Sequence, residues 1–274
     1  MNKIRIEELN RKAHDLRIRF LDIFTALGYG HLTTAYSETE ILVALYYEVM
    51  QYDAKDWKED NHDFLFMSKG HGAGMIYPIL EDVGLITNEE LHDMLRLGGN
   101  AFISRKFFLP GFEFYGGSLG MGLGMAAGLA YALKMNRDNK MVFCVLGDAE
   151  CYEGSIWEAV LFAAHNQLNN LIVIVDRNYM GCSDFTENMC RLEPFDDKWK
   201  AFGWETKKVD GHSIGALVDA MGQIRARITS SPLCIVAETV KGKGLDSVSN
   251  IPLMHGYMPS GKDIDEAYEN VKLL

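Results

Sequence analysis

Hydrophobic positions recur at helical spacing in the first part of the chain. Apolar residues follow that spacing over residues 4–27, and Gly28 ends the run, so we predict an amphipathic helix there. A second helix is predicted to begin near Ser37, whose hydroxyl would cap it, with Glu40 three residues later completing a capping box. This part of the chain is therefore predicted to be helical.

In the rest of the chain, short apolar runs alternate with helical patterns. The apolar runs predict strands at residues 64–67, 141–146, 171–175 and 233–239. Helices are predicted after Gly74 through Leu80, after Gly120 to about Met135, and over residues 154–167 and 214–228. This alternation favours an α/β fold, with a mostly parallel sheet and helices on both faces. No low-complexity linker or repeat divides the sequence, so we expect one domain over residues 1–274.

The composition narrows the classes of partner. The 274 residues are 48% hydrophobic and 24% charged, which is typical of a globular chain with a sizeable core. With 27 basic against 38 acidic side chains the net charge is −11, which disfavours nucleic acid as a partner. A small anionic ligand stays open, because backbone N–H groups, helix N-termini and a divalent cation can hold a diphosphate without a basic surface.

Cysteines and apolar segments bear on the cellular compartment. Five cysteines without a Cys-x-x-Cys spacing are typical of reduced thiols rather than of disulfides or a zinc site. The charged start of the chain is not typical of a signal or transit peptide. No uncharged apolar run reaches the roughly 18 residues that a membrane span needs. We therefore expect a cytoplasmic chain without a membrane partner.

Polar residues follow four of the predicted strands, in segments 68–74, 147–153, 176–180 and 241–244. The carboxyl ends of parallel strands meet at one edge of a sheet, where ligands bind. If the strands before Asp148 and Asn178 are neighbours, a carboxylate, an amide oxygen and a backbone carbonyl can come together there. Because Mg²⁺ prefers such oxygens and few protein ligands, the pattern predicts a magnesium ion that bridges to a diphosphate.

These segments also contain motifs that resemble a known family. Gly147-Asp148-Ala149-Glu150, followed thirty positions after Asp148 by Asn178, is similar to the thiamine diphosphate motif. The other motifs resemble, in order and spacing, those of the amino-terminal, diphosphate-binding half of transketolase: Gly30-His31, Ser68-Lys69-Gly70-His71, Gly117-Ser118-Leu119-Gly120, Glu153-Gly154-Ser155, Val209-Asp210-Gly211-His212, Lys241-Gly242-Lys243-Gly244 and His255-Gly256. The resemblance covers essentially the whole chain and implies the thiamine-diphosphate-binding fold.

The resemblance implies thiamine diphosphate and Mg²⁺ as cofactors and assigns roles to matching positions. The side chains of Asp148 and Asn178 and the backbone carbonyl of Met180 would hold the metal. Three histidines would be catalytic, because neutral imidazoles can donate or pass a proton near pH 7: His31, His71 and His255. The other positions that would bind the cofactor are Gly117, Leu119, Gly120, Gly147, Ala149, Glu153 and Lys241. Glu153 would also lie at a contact between subunits.

The implied reaction transfers a two-carbon ketol unit from a ketose to an aldose, with sugars or sugar phosphates as substrates. A full transketolase also has a pyrimidine-binding domain and a C-terminal domain, for which this chain is too short. The chain therefore resembles the amino-terminal subunit of a split transketolase. We expect a separate subunit with the other two domains, a two-fold pair of heterodimers, and no turnover by the isolated chain.

Two departures from the family pattern affect these expectations. Transketolases usually have a Gly-His-Pro segment before the Gly-Ser-Leu-Gly stretch, whereas residues 98–111 contain no histidine. We hypothesise that Ser104, Arg105 or Lys106 replaces that histidine at the substrate. Ala149 stands where the motif has Gly, and if that position needs a positive φ the alanine costs on the order of 1 kcal/mol.

Other interpretations of the same residues remain open. A decarboxylating thiamine enzyme similar to deoxyxylulose-phosphate synthase also lacks the Gly-His-Pro histidine. A non-catalytic subunit for assembly or regulation is disfavoured, because the metal-binding pair and the histidines are present together. A nicotinamide dinucleotide site near Gly120 is disfavoured, because the glycine spacing departs from Gly-x-Gly-x-x-Gly. We interpret His212 as structural, and the methionines Met121, Met125 and Met135 as core packing.

Overall fold

Six parallel strands form one sheet in the computed structural model, which describes residues 1–28, 30–57, 61–96, 110–222, 224–257 and 259–272. The strands are β1 (Phe64–Met67), β2 (Phe114–Tyr115), β3 (Val142–Gly147), β4 (Leu171–Arg177), β5 (Glu205–Asp210) and β6 (Leu233–Glu238). Their spatial order is β2-β1-β3-β4-β6-β5, and every neighbouring pair is parallel. The predicted α/β fold with a parallel sheet is confirmed.

Helices connect these strands and pack against the sheet. Their bounds are α1 (Lys3–Leu27), α2 (Leu32–Ser37), α3 (Thr39–Ala44), α4 (Ile76–Asp82), α5 (Asn88–Arg96), α6 (Gly122–Met135), α7 (Gly154–His165), α8 (Thr186–Met189), α9 (Phe195–Ala201), α10 (Ile214–Met221) and α11 (Lys262–Lys272). As predicted, Gly28 terminates α1: it directly follows Leu27 and adopts a left-handed conformation with φ 75°.

The sheet separates two hydrophobic cores, because successive side chains of a strand point to opposite faces. In β3, Phe143 and Val145 join the core under α1, α3 and α4. Cys144 and Leu146 join the core under α6, α7 and α9. All four side chains are fully buried. Helices therefore cover both faces, which explains the continuous apolar runs of the central strands.

Two helix predictions are wrong in detail. Ser37 ends α2 instead of capping a helix, and its hydroxyl donates to Asp176 Oδ1 at 2.7 Å. Glu40 does not form a capping box, because its carboxylate pairs with Arg17 at 2.6 Å. In both cases a buried partner from a distant segment replaces the local cap. The helix predicted over residues 214–228 ends earlier, at Met221.

Two further features differ from the pattern of apolar positions. The pattern does not predict the two-residue strand β2. It also does not predict β5, which carries polar residues such as Lys207 and Lys208. This strand lies at the edge of the sheet, where one side is unpaired and burial is partial, so it needs no apolar run. Met121, just before α6, and Met125 and Met135, on α6, are 51%, 47% and 66% exposed, so their interpretation as core packing is wrong.

Candidate active site

The carboxyl ends of β1, β3, β4 and β6 lie next to one another at one edge of the sheet. Gly147 at the end of β3 is in register with Asp176, and Arg177 at the end of β4 is in register with Glu238. The polar segments that follow these strands consequently meet at this edge, which is the usual ligand-binding edge of a parallel sheet.

Asp148 follows β3 and is buried. Its Oδ2 accepts from Arg177 Nη1 at 3.0 Å and from the Tyr179 N–H at 2.7 Å, and its Oδ1 accepts from the Ala149 N–H at 2.7 Å. Burial raises the pKa of Asp148 to about 6, although Arg177 opposes that rise. Since a carboxylate offers about four acceptor positions, one position on Oδ1 is left for a metal ion.

The amide of Asn178 is oriented by two buried side chains. Its Nδ2 donates to Asp176 Oδ2 at 3.2 Å and to Ser37 Oγ at 3.3 Å. Its Oδ1 accepts the Met180 N–H at 3.1 Å and keeps a second acceptor position. Because the N–H of the next residue, Tyr179, bonds to Asp148, the structure brings Asp148 and Asn178 to the same turn.

The oxygens at this turn fit the metal that the motif implies. A carboxylate oxygen of Asp148 and the amide oxygen of Asn178 are hard ligands, and each has an acceptor position left, as Mg²⁺ requires. In the described part of the chain, no group of three or more histidine, cysteine, aspartate and glutamate side chains is placed to hold a metal. A metal here would therefore depend on few protein ligands and on oxygens of its diphosphate.

A buried ionic network below this turn was not predicted. Lys69 Nζ contacts Asp176 Oδ2 and lies 2.9 Å from Glu38 Oε2. Asp176 Oδ1 accepts from Ser37 and from Thr239. The sequence does contain one signal for this network, because Asp176 directly follows the apolar run of β4. Lys69, the cation that pairs with Asp176, follows a different strand, β1, and could not be identified as its partner from the sequence pattern.

Glu150 joins three segments around the predicted cofactor-binding backbone. Its carboxylate accepts from the Ser68 hydroxyl, from the Gly120 N–H at 2.8 Å and from the Gly147 N–H at 3.1 Å. Burial raises the pKa of this carboxyl, against these donors. Ala149 begins a 3-10 turn, a right-handed conformation, so the conditional cost of a positive φ does not arise there.

Three other predicted positions are exposed or half-buried. Gly117 is exposed and Leu119 is half-buried, both just before α6. Glu153 is exposed at the start of α7. The proposed histidine replacements, Ser104, Arg105 and Lys106, lie outside the described residues.

Three histidines from distant segments form a cluster at this edge. The ring centroids of His31 and His71 are 5.4 Å apart, and each lies 5.0 Å from the ring of His255. Lys241 Nζ lies 2.7 Å from His255 Nδ1. Burial and the charge of Lys241 lower the pKa of His255 to about 3 and also lower that of His31. Burial and Lys69 lower the pKa of His71, so the three imidazoles are neutral near pH 7.

The family model for the transketolase thiamine diphosphate binding domain matches residues 9–271. The chain belongs to this family. Its fold is also that of solved transketolases: transketolase from Leishmania mexicana superposes with a TM-score of 0.85 at 27% identity, over 96% of this chain and 41% of that one.

Two relatives of similar length are named as subunits of transketolases. One is a subunit of the apulose-4-phosphate transketolase of Actinobacillus succinogenes, which is 36% identical over 97% of this chain and 96% of its own length. The 6-deoxy-6-sulfo-D-fructose transketolase subunit SqwG of a Clostridium species is 36% identical over 86% of each chain. Human transketolase is 34% identical over 92% of this chain, which spans 40% of that protein. This transketolase-family chain thus corresponds in extent to one subunit of such an enzyme. None of its described helices is long and apolar enough to cross a membrane.

Proposed function

We propose that this chain is the thiamine-diphosphate-binding subunit of a two-chain transketolase, which moves a ketol unit from a ketose to an aldose. The observation that carries the proposal is the meeting of Asp148 and Asn178 at one turn, next to a cluster of three neutral histidines. The names of the two relatives of similar length, both of which are subunits, support it. We also propose that the chain forms one domain, over which the family match extends.

The protein's own residues have separable roles in this proposal. Asp148, Asn178 and the Met180 carbonyl hold Mg²⁺, and Lys241 binds the diphosphate with the backbone around Gly120. Burial and the charge of Lys69 lower the pKa of Lys241 to about 8, so its ammonium form predominates at pH 7. When bound, thiamine diphosphate supplies a carbon nucleophile for the ketose carbonyl and takes up the electrons of the broken C–C bond.

The histidine cluster handles protons in this proposal. Because the Lys241 ammonium can only donate, His255 Nδ1 accepts from it and the ring proton lies on Nε2. His255 can therefore donate a hydrogen bond from Nε2 to a substrate oxygen. His71 and His31, which are neutral as well, can accept or donate at neighbouring hydroxyl groups.

The missing domains come from a separate chain in this proposal. Exposed apolar side chains on α6, just before it and on α7 are available for such a partner: Met121, Met125, Tyr131, Met135, Leu161 and Phe162. We propose a two-fold pair of heterodimers with the cofactor between unlike chains. The proposal also includes a reducing, cytoplasmic compartment, which the five free cysteines support.

The test is reconstitution with a second chain that carries the pyrimidine-binding domain. Ketol transfer is measured over a panel of ketoses and aldehydes, with and without phosphate groups, in the presence of thiamine diphosphate and Mg²⁺. We expect transfer by the complex and none by either chain alone. Asp148→Asn should weaken Mg²⁺ binding at least tenfold by the usual scale for metal sites, whereas Asp219→Asn, at an exposed position of α10, should not.

Three outcomes would contradict this function. Turnover by the isolated chain would remove the need for a second chain. Release of CO₂ from pyruvate would favour the decarboxylating alternative. Full activity of the complex with Asp148→Asn would show that the chain serves assembly rather than catalysis.

A further inference from the structure

A half-buried histidine that has no role in the site above, His212, connects three distant segments. His212 Nδ1 lies 2.9 Å from Glu40 Oε2, and His212 Nε2 lies 2.8 Å from the backbone N of Val240. Arg17 pairs with both oxygens of Glu40, at 2.6 and 2.8 Å. The contacts run from α1 through α3 to the segment that follows β6.

The contacts assign the tautomer of His212. The N–H of Val240 can only donate, so His212 Nε2 accepts from it and the ring proton lies on Nδ1. From there it donates to Glu40. Burial would raise the pKa of Glu40, but Arg17 and the hydrogen bond from His212 outweigh burial and lower it to about 2. Glu40 is therefore a permanent acceptor that keeps the proton on Nδ1.

Lys241 directly follows Val240, whose N–H forms this hydrogen bond. Its backbone is held on one side by the bond from Val240 to His212 and on the other by the Gly242 N–H, which donates to the Thr33 carbonyl at 2.8 Å. The Lys241 carbonyl accepts the Asn250 N–H at 2.9 Å. With the backbone held in this way, the side chain reaches His255, 2.7 Å from Nζ.

The turn at residues 210–212 places the imidazole of His212 next to Val240. Asp210 Oδ1 accepts the His212 N–H at 2.9 Å, and the Gly211 N–H donates to the Glu238 carbonyl at 2.7 Å. A Cβ at Gly211 would lie 2.4 Å from Thr239 Cγ2, so only glycine lets the turn approach β6 this closely. Each residue of the Asp-Gly-His motif therefore has a part in presenting the imidazole to Val240.

We propose that His212 is a positioning residue for Lys241. Its Nε2 lone pair holds the backbone at Val240, and this aims the Lys241 ammonium at His255 and at the cofactor diphosphate. The second target rests on the proposed function, whereas the hydrogen bond to Val240 and the aim at His255 do not.

Two substitutions separate the two ring nitrogens. In His212→Gln the side-chain oxygen can take the place of Nε2 and accept from Val240, while the bond to Glu40 is lost. In His212→Asn the amide NH₂ can take the place of Nδ1 and donate to Glu40, while the acceptor for Val240 is lost. His92→Asn, at an exposed position of α5, is the control.

The first readout is amide hydrogen exchange at Val240 in the intact chain. His212→Asn should speed this exchange roughly three- to tenfold, the range expected for one lost hydrogen bond, whereas His212→Gln and the control should match the wild type. The second readout uses the reconstituted pair. His212→Asn should raise the thiamine diphosphate concentration for half-maximal rate by a similar factor and leave kcat at saturation within about twofold, because His212 does not touch the reacting groups.

Equal melting temperatures and equal Val240 exchange in the two variants would overturn the proposal, because a merely structural histidine predicts that result. NMR of the wild-type histidine nitrogens tests it even if a variant does not fold: a proton on Nε2 would also overturn it. If the exchange data agree but no pair with any second chain transfers ketol units, the proposed function fails and the positioning role stands.

Discussion

Glu38 and Glu40 stand two positions apart, both are buried, and their environments have opposite effects on their ionisation. Glu40 has the Arg17 guanidinium on both oxygens and a hydrogen bond from His212, and its pKa falls to about 2 against the effect of burial. Neither oxygen of Glu38 has a partner in hydrogen-bond geometry among the described residues. The cation beside Glu38, Lys69, is shared with Asp176. Burial raises the pKa of Glu38 to about 7.

The difference shows that partners, rather than depth, set the charge state of a buried carboxylate. Glu40 belongs to the contacts that join α1, α3 and the His212 turn, and it is a fixed anion. Glu38 belongs to the network below the candidate metal site, where Lys69 already neutralises Asp176. A second full negative charge there is unfavourable, so Glu38 holds its proton up to about neutral pH.

The largest expected effect is that of removing the cation from the Glu40 pair. Arg17→Met would leave a buried carboxylate without its partner, and we expect a loss of about 3–5 kcal/mol in the free energy of unfolding, measured by urea denaturation. Arg19→Met is the matched control on the same helix. Arg19 also binds both oxygens of a glutamate, Glu81, but it is 32% exposed, so the loss should stay below about 1 kcal/mol. Equal losses would mean that burial of the pair is unimportant.

The second prediction compares how the two glutamates affect stability as a function of pH. The folded-state pKa of Glu40 is lowered, so its contribution is present above about pH 4.5 and is lost as the pH falls toward 2. The folded-state pKa of Glu38 is raised, so its contribution is present below about pH 4.5 and is lost as the pH rises to 7.

Each contribution is on the order of 3 kcal/mol for a pKa difference of this size. As the pH rises from about 4.5 to 7, the free energy of unfolding of Glu38→Gln should therefore increase relative to that of the wild type. As the pH rises from about 2 to 4.5, that of Glu40→Gln should decrease relative to that of the wild type. Urea denaturation at a series of pH values measures both. The proposed difference between Glu38 and Glu40 is wrong if both variants change the pH dependence of stability in the same pH range.

The smallest expected effect tests whether Glu38 is held in place. A Cβ at Gly72 would lie 2.1 Å from Glu38 Oε1 and 2.8 Å from Lys69 Cε, so Gly72→Ala should cost about 1–3 kcal/mol through overpacking. Adding Glu38→Ala should recover at least part of that cost, and a double-mutant cycle measures the coupling. Gly124→Ala on α6, where a Cβ meets nothing within 4 Å, should stabilise slightly and serves as the control. A coupling energy of zero would show that Glu38 is not held in place and can move away from the added methyl group without a cost in free energy.

The sequence predicted that Asp148 and Asn178 come together, whereas it did not predict the ionic network below them. Asp148 and Asn178 could be paired from their spacing, because strand ends in a parallel sheet meet at one edge and the two residues follow neighbouring strands. The helix predicted to start at Ser37 was wrong because Ser37, which can cap locally, binds Asp176, 139 positions away, instead. β5 was missed because an edge strand carries no apolar run.

The sequence by itself determined the alternation of strands and helices, the edge at which the polar segments meet, and the family to which their motifs belong. These depend on local periodicity and on the order of short motifs, both of which are visible along the chain. Only the tertiary structure decided that Glu40 is paired, that Glu38 shares its cation, and that His212 contacts both Glu40 and the Val240 N–H. Those outcomes depend on side chains brought together from distant positions, and the energy of a buried charge depends on the neighbours that the fold supplies.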